Sequence, residues 1–335
     1  MIARIHLWLG IPLALYCLIM GVTGAILMFH SQIHAWQHPE FYSGPAPTYR
    51  ADPDAALENV RAKYPGWKPL GMTWPHDGTP YWQVFILKGA EGREIYISTD
   101  TGGIVGERNP REGWFGVVER IHNNWYWGRN GRLLNGYGAI ALTILSLTGL
   151  YLVWPFIKKI GFRTNRDYHY SLGLASFAFV IVTSFTGAYF TWAPSYINFA
   201  KSLGRTADPE LPPSDLSTTL PIAKLTAIAQ DALPGKPIQR IGMPSAKSIF
   251  KVPMREDRFA AFHLVSHVVL DPRTGQVLAV QRLENRQLGD GFLGWVAALH
   301  VGSFGGAPVE YLYAILSIAM ATLGPTGFLI WWRKR

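Results

Sequence analysis

The sequence predicts a mainly α-helical membrane protein with four transmembrane helices in two tandem repeats, each repeat carrying a small inserted α+β domain. Three observations predict it. Four long stretches, Leu7–Phe29, Leu133–Ile157, Tyr170–Ala193 and Tyr311–Trp332, contain no Asp, Glu, Lys or Arg. Histidines and Thr-Gly dipeptides recur around them at fixed offsets, and the polar segments between spans repeat a helix followed by strands. Composition agrees: 49% of the 335 residues are hydrophobic, only 16% are charged, and there are 13 Trp, more than a soluble chain of this size usually carries.

In chain order, residues 1–30 hold the first span. A bilayer core needs about 20 apolar residues, and Leu7–Phe29 exceeds that. A cleaved signal peptide is the alternative for an N-terminal apolar run, but this one outlasts an ordinary signal core, and "FHSQIHAWQ" offers no small-x-small cleavage site. Residues 31–112 read as the first α+β domain. "DPDAALENVRAKYPGWKPLGM" is a short amphipathic helix ended by Pro-Gly, "YWQVFILKG" and "REIYIS" are strands, and "TDTGGIVGER" is a turn and a strand.

Residues 113–160 comprise an amphipathic interfacial stretch, "GWFGVVERIH", and the second span. Residues 161–168 form a basic loop within "KKIGFRTNRD", and 169–194 carry the third span. Residues 195–288 repeat the α+β pattern with "PIAKLTAIAQDALPGKPIQRIGM", "FAAFHLVSHVVLD" and "PRTGQVLAVQR". Residues 289–335 repeat the interfacial stretch as "GFLGWVAALH" and close with the fourth span and "WWRKR".

Short-loop Lys and Arg favour the cytoplasmic side. The loop between spans two and three and the C-terminal tail therefore belong inside, as does the N-terminus with Arg4, and the two α+β domains lie opposite. In a bacterial inner membrane that side is periplasmic. The formal charge of +9 reflects this anchoring first; no basic stripe interleaved with aromatics suggests nucleic-acid binding. Cys17 is the single cysteine, which excludes a disulfide framework, a thiolate metal site and covalent haem attachment through C-x-x-C-H.

The odd spans match at an offset of 163, with His6, Gly10, Thr23 and Gly24 against His169, Gly173, Thr186 and Gly187. The even spans match at 178, with His122, Gly128, Gly149 and Trp154 against His300, Gly306, Gly327 and Trp332. Ionisable residues at membrane depth are costly and tend to mark function. Paired neutral imidazoles from neighbouring helices are what a non-covalent b-type haem needs for its two axial bonds, so two haems are expected. Glycines such as Gly10, Gly24, Gly173 and Gly187 would let a porphyrin or a helix approach closely. His6 and His169 start inward ends of their spans and are expected to meet near the cytoplasm. His122, His300 and His30 compete for the outer pair of bonds. His34 and His38 read as an interfacial turn or a small metal face, His263 and His267 as one side of a strand, and His76 as loop.

The motifs "IHLWLG", "TGAILMFH" with "HPEF", "RIHNNWYWG", "LTGLYLVWP", "ALHVGSFGG" and "TGFLIWW", together with the Thr-Gly strand ends, resemble the PepSY-associated transmembrane family over nearly the whole chain. That family often carries acidic residues after the histidine closing the first span, where this chain has Ser31, Gln32 and His34. The resemblance implies PepSY-like α+β domains and a haem-containing inner-membrane reductase of ferric siderophores. Hard siderophore oxygens match Fe(III), so reduction weakens their hold. There is no G-x-G-x-x-G after a strand and no long cytoplasmic segment for a flavin or nicotinamide domain, so a quinol or a separate cytoplasmic reductase must supply electrons. Alternatives are a scaffold or regulator built on the α+β domains and a transporter of siderophore or iron. The spans largely lack the broken helices and midplane polar residues of transporters.

Overall fold

A computed structural model of the chain describes residues 1–76, 78–159, 161–256 and 264–333, with Lys159 by its backbone alone. The first repeat contains α1 (Ile2–Leu27), α2 (His30–Gln37), α3 (Pro53–Lys63), β1 (Lys68–Thr73), β2 (Tyr81–Lys88), β3 (Glu91–Ser98), β4 (Ile104–Arg108), α4 (Gly113–Asn124) and α5 (Gly128–Val153). The second contains α6 (Asn165–Ser202), α7 (Ile222–Ala232), β5 (Arg240–Gly242), β6 (Phe250–Met254), β7 (Ser266–Leu270), β8 (Val277–Gln281), α8 (Leu288–Val301) and α9 (Gly306–Trp332). They form two compact units: a helical one from residues 1–30, 113–204 and 291 onward, and an α+β one from 31–112 and 205–290.

In the helical unit, α1, α5 with its following 3-10 turn, α6 and α9 are long and apolar enough to cross a membrane. Helix α1 packs on α9 and α5, and α6 packs on α5 and α9. Small residues let two of them approach backbone to backbone: a Cβ on Gly21 would lie 2.5 Å from the Ser317 carbonyl oxygen, and one on Gly324 would lie 2.1 Å from that of Ala14. With little hydrophobic drive between helices in lipid, such contact is what holds spans together. The middle of the unit is filled by Cys17, Leu142, Val180 and Met320, with Tyr16 and Phe179 against them.

Helix starts explain where the histidines fall. Thr164 and Asp167 form a reciprocal capping box, which satisfies end donors of α6 and places His169 in its second turn. Helix α1 begins at Ile2, ahead of the charge-free run, so His6 lies within the helix. The third span is expected to stop near Ala193, yet α6 continues to Ser202 through a kink: Trp192 has φ −120° and ψ 41°, and Pro194 follows. Proline removes a backbone donor and crowds the preceding turn, which bends this helix without ending it.

In the α+β unit, one antiparallel sheet has the order β4-β3-β2-β1-β5 and a second has β6-β7-β8. Strand β5 comes from the second repeat and pairs with β1 through Gly71–Gly242, Met72–Ile241 and Thr73–Arg240. Both segments share one core, with Leu57, Val60, Val84 and Ile95 alongside Leu225, Ile241, Val252 and Val268. Pro221 offers no side-chain cap to α7. The Asp54 carboxylate does so instead, accepting from the Ile222 and Ala223 amides at 2.8 Å each.

Candidate metal centre

Four histidines of the helical unit stand in two pairs. His6 on α1 and His169 on α6 have ring centroids 6.4 Å apart with planes at 82°. His122 on α4 and His300 on α8 are 6.5 Å apart at 50°. Each pair takes one ring from each repeat.

The hydrogen bonds of these rings run through Nδ1. His6 Nδ1 lies 3.0 Å from Thr148 Oγ1 and 3.1 Å from the Leu145 carbonyl. His169 Nδ1 lies 3.0 Å from Thr326 Oγ1. His122 Nδ1 lies 2.8 Å from Thr23 Oγ1, and His300 Nδ1 lies 3.1 Å from the Thr183 carbonyl and 3.3 Å from Thr186 Oγ1. Each of the four threonines whose hydroxyl meets a ring precedes a glycine, and the ring rests over it. A Cβ would come within 3.0 Å of His6 at Gly149, 3.0 Å of His169 at Gly327, 2.8 Å of His300 at Gly187 and 3.4 Å of His122 at Gly24.

These four threonines contact the paired rings, a role the sequence left unassigned although their spacing to the histidines stands out in it. That spacing is counted along one span, whereas the contacts cross between spans. His6 of α1 is held by the Thr-Gly of α5, and His122, just ahead of α5, by the Thr-Gly of α1. The second repeat does the same with α6 and α9. Gly24 and Gly187 thus face imidazoles, while Gly10 and Gly173 meet Leu145 and Leu323 at 3.7 Å.

Helix α4 is anchored at its end by Asn135, whose side-chain amide donates to the His122 carbonyl at 2.7 Å and accepts from the Trp125 indole at 2.6 Å. The turn after His122 places Trp125 and Tyr126 at φ 53° and 58°, a conformation that non-glycine residues adopt only when surroundings compel it. In the second repeat Tyr313 donates to the Leu299 carbonyl at 2.9 Å, and Gly302 takes the left-handed turn.

Two imidazoles on opposite sides of one metal bond it at about 2.0–2.1 Å each, which together with the rings' own dimensions separates their centroids by roughly 6.3 Å. Both pairs have that spacing. An acceptor on Nδ1 is also the usual outer partner of a metal-bound imidazole. The donor set, two nitrogens per site on separate helices, suits an iron whose other four ligands come from a porphyrin.

His30 begins α2, and its ring meets Phe115 edge-on at 5.4 Å. His34 is buried against the Arg108 guanidinium, which in turn pairs with Glu94. His38 lies 3.3 Å from Glu40 and stacks on Phe41. His76 closes a turn with its Nδ1 3.0 Å from the Trp74 carbonyl. His267 sits on β7, where burial, reinforced by Arg286 and Lys251, lowers its pKa to about 4. His263 lies outside the described residues, as do Lys334 and Arg335 of the basic tail.

A search of curated proteins found no match. The family model for the PepSY-associated TM region matches residues 3–334, a range that includes all four spans, both α+β segments and all four paired histidines. This chain therefore belongs to the PepSY-associated transmembrane family.

Proposed function

We propose that this membrane protein is a haem-containing reductase that carries electrons across the bilayer to ferric siderophores, releasing iron as Fe(II). The observation that carries the reading is the separation of the two histidine pairs, 6.4 and 6.5 Å, which suits bis-imidazole ligation. His6 with His169 and His122 with His300 would each hold one b-type haem without a covalent bond, since Cys17 is the only cysteine. Bound haem would supply one-electron chemistry at the iron, with a potential set by its axial ligands and their hydrogen bonds.

The chain's own residues supply position and polarity. Lys158, Arg163, Arg166 and Arg333 flank the helix ends that carry Thr148, His169 and Thr326, which favours the cytoplasm for the His6–His169 end. The His122–His300 end then faces the periplasm and the substrate. A quinol or a separate cytoplasmic reductase supplies the electron, and each ferric siderophore consumes one.

The test begins with visible spectra of the purified protein, oxidised and dithionite-reduced, with a pyridine haemochrome assay. The reduced protein is then mixed anaerobically with ferric siderophore and an Fe(II) trap. Reoxidation in step with trapped iron is expected. A colourless protein that takes up no added haem, or one that no ferric complex reoxidises, removes the reductase reading in favour of a scaffold built on the α+β segments.

A further inference from the structure

Each threonine that meets a paired histidine has already committed its hydroxyl proton. Thr23 donates to the Ile19 carbonyl at 2.6 Å, Thr148 to Ile144 at 2.9 Å, Thr186 to Val182 at 2.7 Å and Thr326 to Thr322 at 2.8 Å. A hydroxyl has one proton and two lone pairs. With the proton spent on the helix, the oxygen can only accept from the imidazole. The backbone imposes the same direction where it takes part, because the Leu145 and Thr183 carbonyls beside His6 and His300 have no proton to give.

We propose that Thr23, Thr148, Thr186 and Thr326 are positioning residues that keep the proton of His122, His6, His300 and His169 on Nδ1, so that all four rings present an Nε2 lone pair before any metal arrives. The proposal deepens the reading of the pairs as haem ligands and rests on it for its purpose, but the tautomer is a property of the protein without haem. At Gly149 and Gly187 the glycine is part of the same device: it lets the ring lie against the helix where the hydroxyl and the carbonyl one turn earlier both reach Nδ1.

The four locks differ in redundancy. His122 and His169 have the hydroxyls of Thr23 and Thr326, at 2.8 and 3.0 Å, as their Nδ1 acceptors. His6 and His300 each have a backbone acceptor as well, and for His300 the carbonyl is the nearer of the two. Thr23→Val and Thr326→Val therefore remove the most and Thr186→Val the least. Loss of such an outer partner typically weakens metal binding 10- to 100-fold. Haem retention at the His122–His300 pair should fall by about that factor in Thr23→Val and by less in Thr186→Val.

The experiment is nitrogen NMR of histidine-labelled full-length protein in detergent, prepared without haem, followed by haem dissociation rates and midpoint potentials of the loaded protein. Wild type should show four rings protonated at Nδ1. Thr23→Val should move His122 toward the Nε2-protonated form and, once loaded, raise the potential of its haem, because a ligand that no longer donates is a poorer electron source to Fe(III). Thr23→Ser should restore both. Thr143→Val and Thr322→Val, which remove the same kind of hydroxyl bond to Ala139 and Ile318 without meeting a paired histidine, should change neither. Wild-type rings protonated at Nε2 overturn the proposal even if every variant misfolds, as does a Thr23→Val spectrum identical to wild type. A protein with the Nδ1 tautomers that binds no haem overturns the cofactor reading and leaves the tautomer lock standing.

Discussion

Replacing the glycine under each histidine by alanine tests the ring geometry with one added carbon. At Gly187 that carbon would lie 2.8 Å from His300 Cε1, whereas ordinary contact begins at 3.4 Å. The ring must therefore retreat by about 0.6 Å or the helix must move, an overpacking that typically costs about 1–3 kcal/mol. If the displacement is taken from the metal bond, haem retention falls roughly five- to hundredfold, since each 1.4 kcal/mol is a factor of ten. Gly149→Ala and Gly327→Ala, at 3.0 Å, should follow with smaller losses at the His6–His169 pair. Gly24→Ala, at 3.4 Å from His122, should be nearly silent.

The assay is haem per protein by pyridine haemochrome, with electron paramagnetic resonance to tell the two centres apart and thermal unfolding in detergent to follow the fold. Gly324→Ala serves as the contrast, because its added carbon meets the Ala14 backbone at 2.1 Å and should destabilise the helical unit and lose both centres together. If Gly24→Ala is as damaging as Gly187→Ala, or if Gly187→Ala keeps its full complement with unchanged signals, the rings do not rest on these glycines as argued.

Three further outcomes are expected. Asp54→Ala leaves the first amides of α7 without their carboxylate and should lower stability by about 0.5–2 kcal/mol, as loss of a helix N-cap does, read by thermal unfolding of the full chain; an unchanged midpoint would contradict the cap. His267 is held at about 4 by burial, with Arg286 and Lys251 adding to it, so the unfolded ring takes up a proton below about 6.5 while the folded one does not. Stability should fall as pH drops from 6.5 toward 4, by on the order of 3 kcal/mol when complete, and His267→Gln should flatten that slope in pH-dependent unfolding. Reporter fusions at Gly92 and Gly235 should behave as exported and one at Arg163 as cytoplasmic; the reverse pattern would reverse the direction proposed for electron flow.

The spans were legible because an uncharged run long enough to cross a bilayer leaves few alternatives, and the histidines because duplication repeats them at one offset. What joins the repeats was not legible. The β1–β5 pairing links Met72 to Ile241, and the Asp54 cap links α3 to α7. Such contacts depend on three-dimensional closure and leave no period in the chain. Strand β6 hid for a local reason: "FKVPM" is short and contains Pro253, which usually argues against a strand. The continuation of α6 past Ala193 to Ser202 was not legible, because Pro194 signals a stop as readily as a bend. The Thr-Gly role was half visible. Its spacing stood out, but spacing along a helix cannot say that Thr148 serves His6 and Thr23 serves His122.

That exchange divides the labour of the site in a way that can be tested. Orientation is arranged within a repeat, since His6 is held by Thr148 and Leu145 and His122 by Thr23. Ligation, on the proposed reading, is arranged between repeats, since His6 faces His169 and His122 faces His300. Removing the ring of His169 should therefore leave His6 aimed as before, with one axial position empty and a space about the size of an imidazole opposite it. His169→Gly should convert that centre from a low-spin to a high-spin spectrum and leave the other unchanged. Added imidazole should restore the low-spin form by filling the space. A low-spin spectrum without added imidazole would show that His169 is not a ligand. Failure of imidazole to restore a retained haem would show that His6 depends on its partner for its aim, and the two repeats would then have to be treated as one inseparable site.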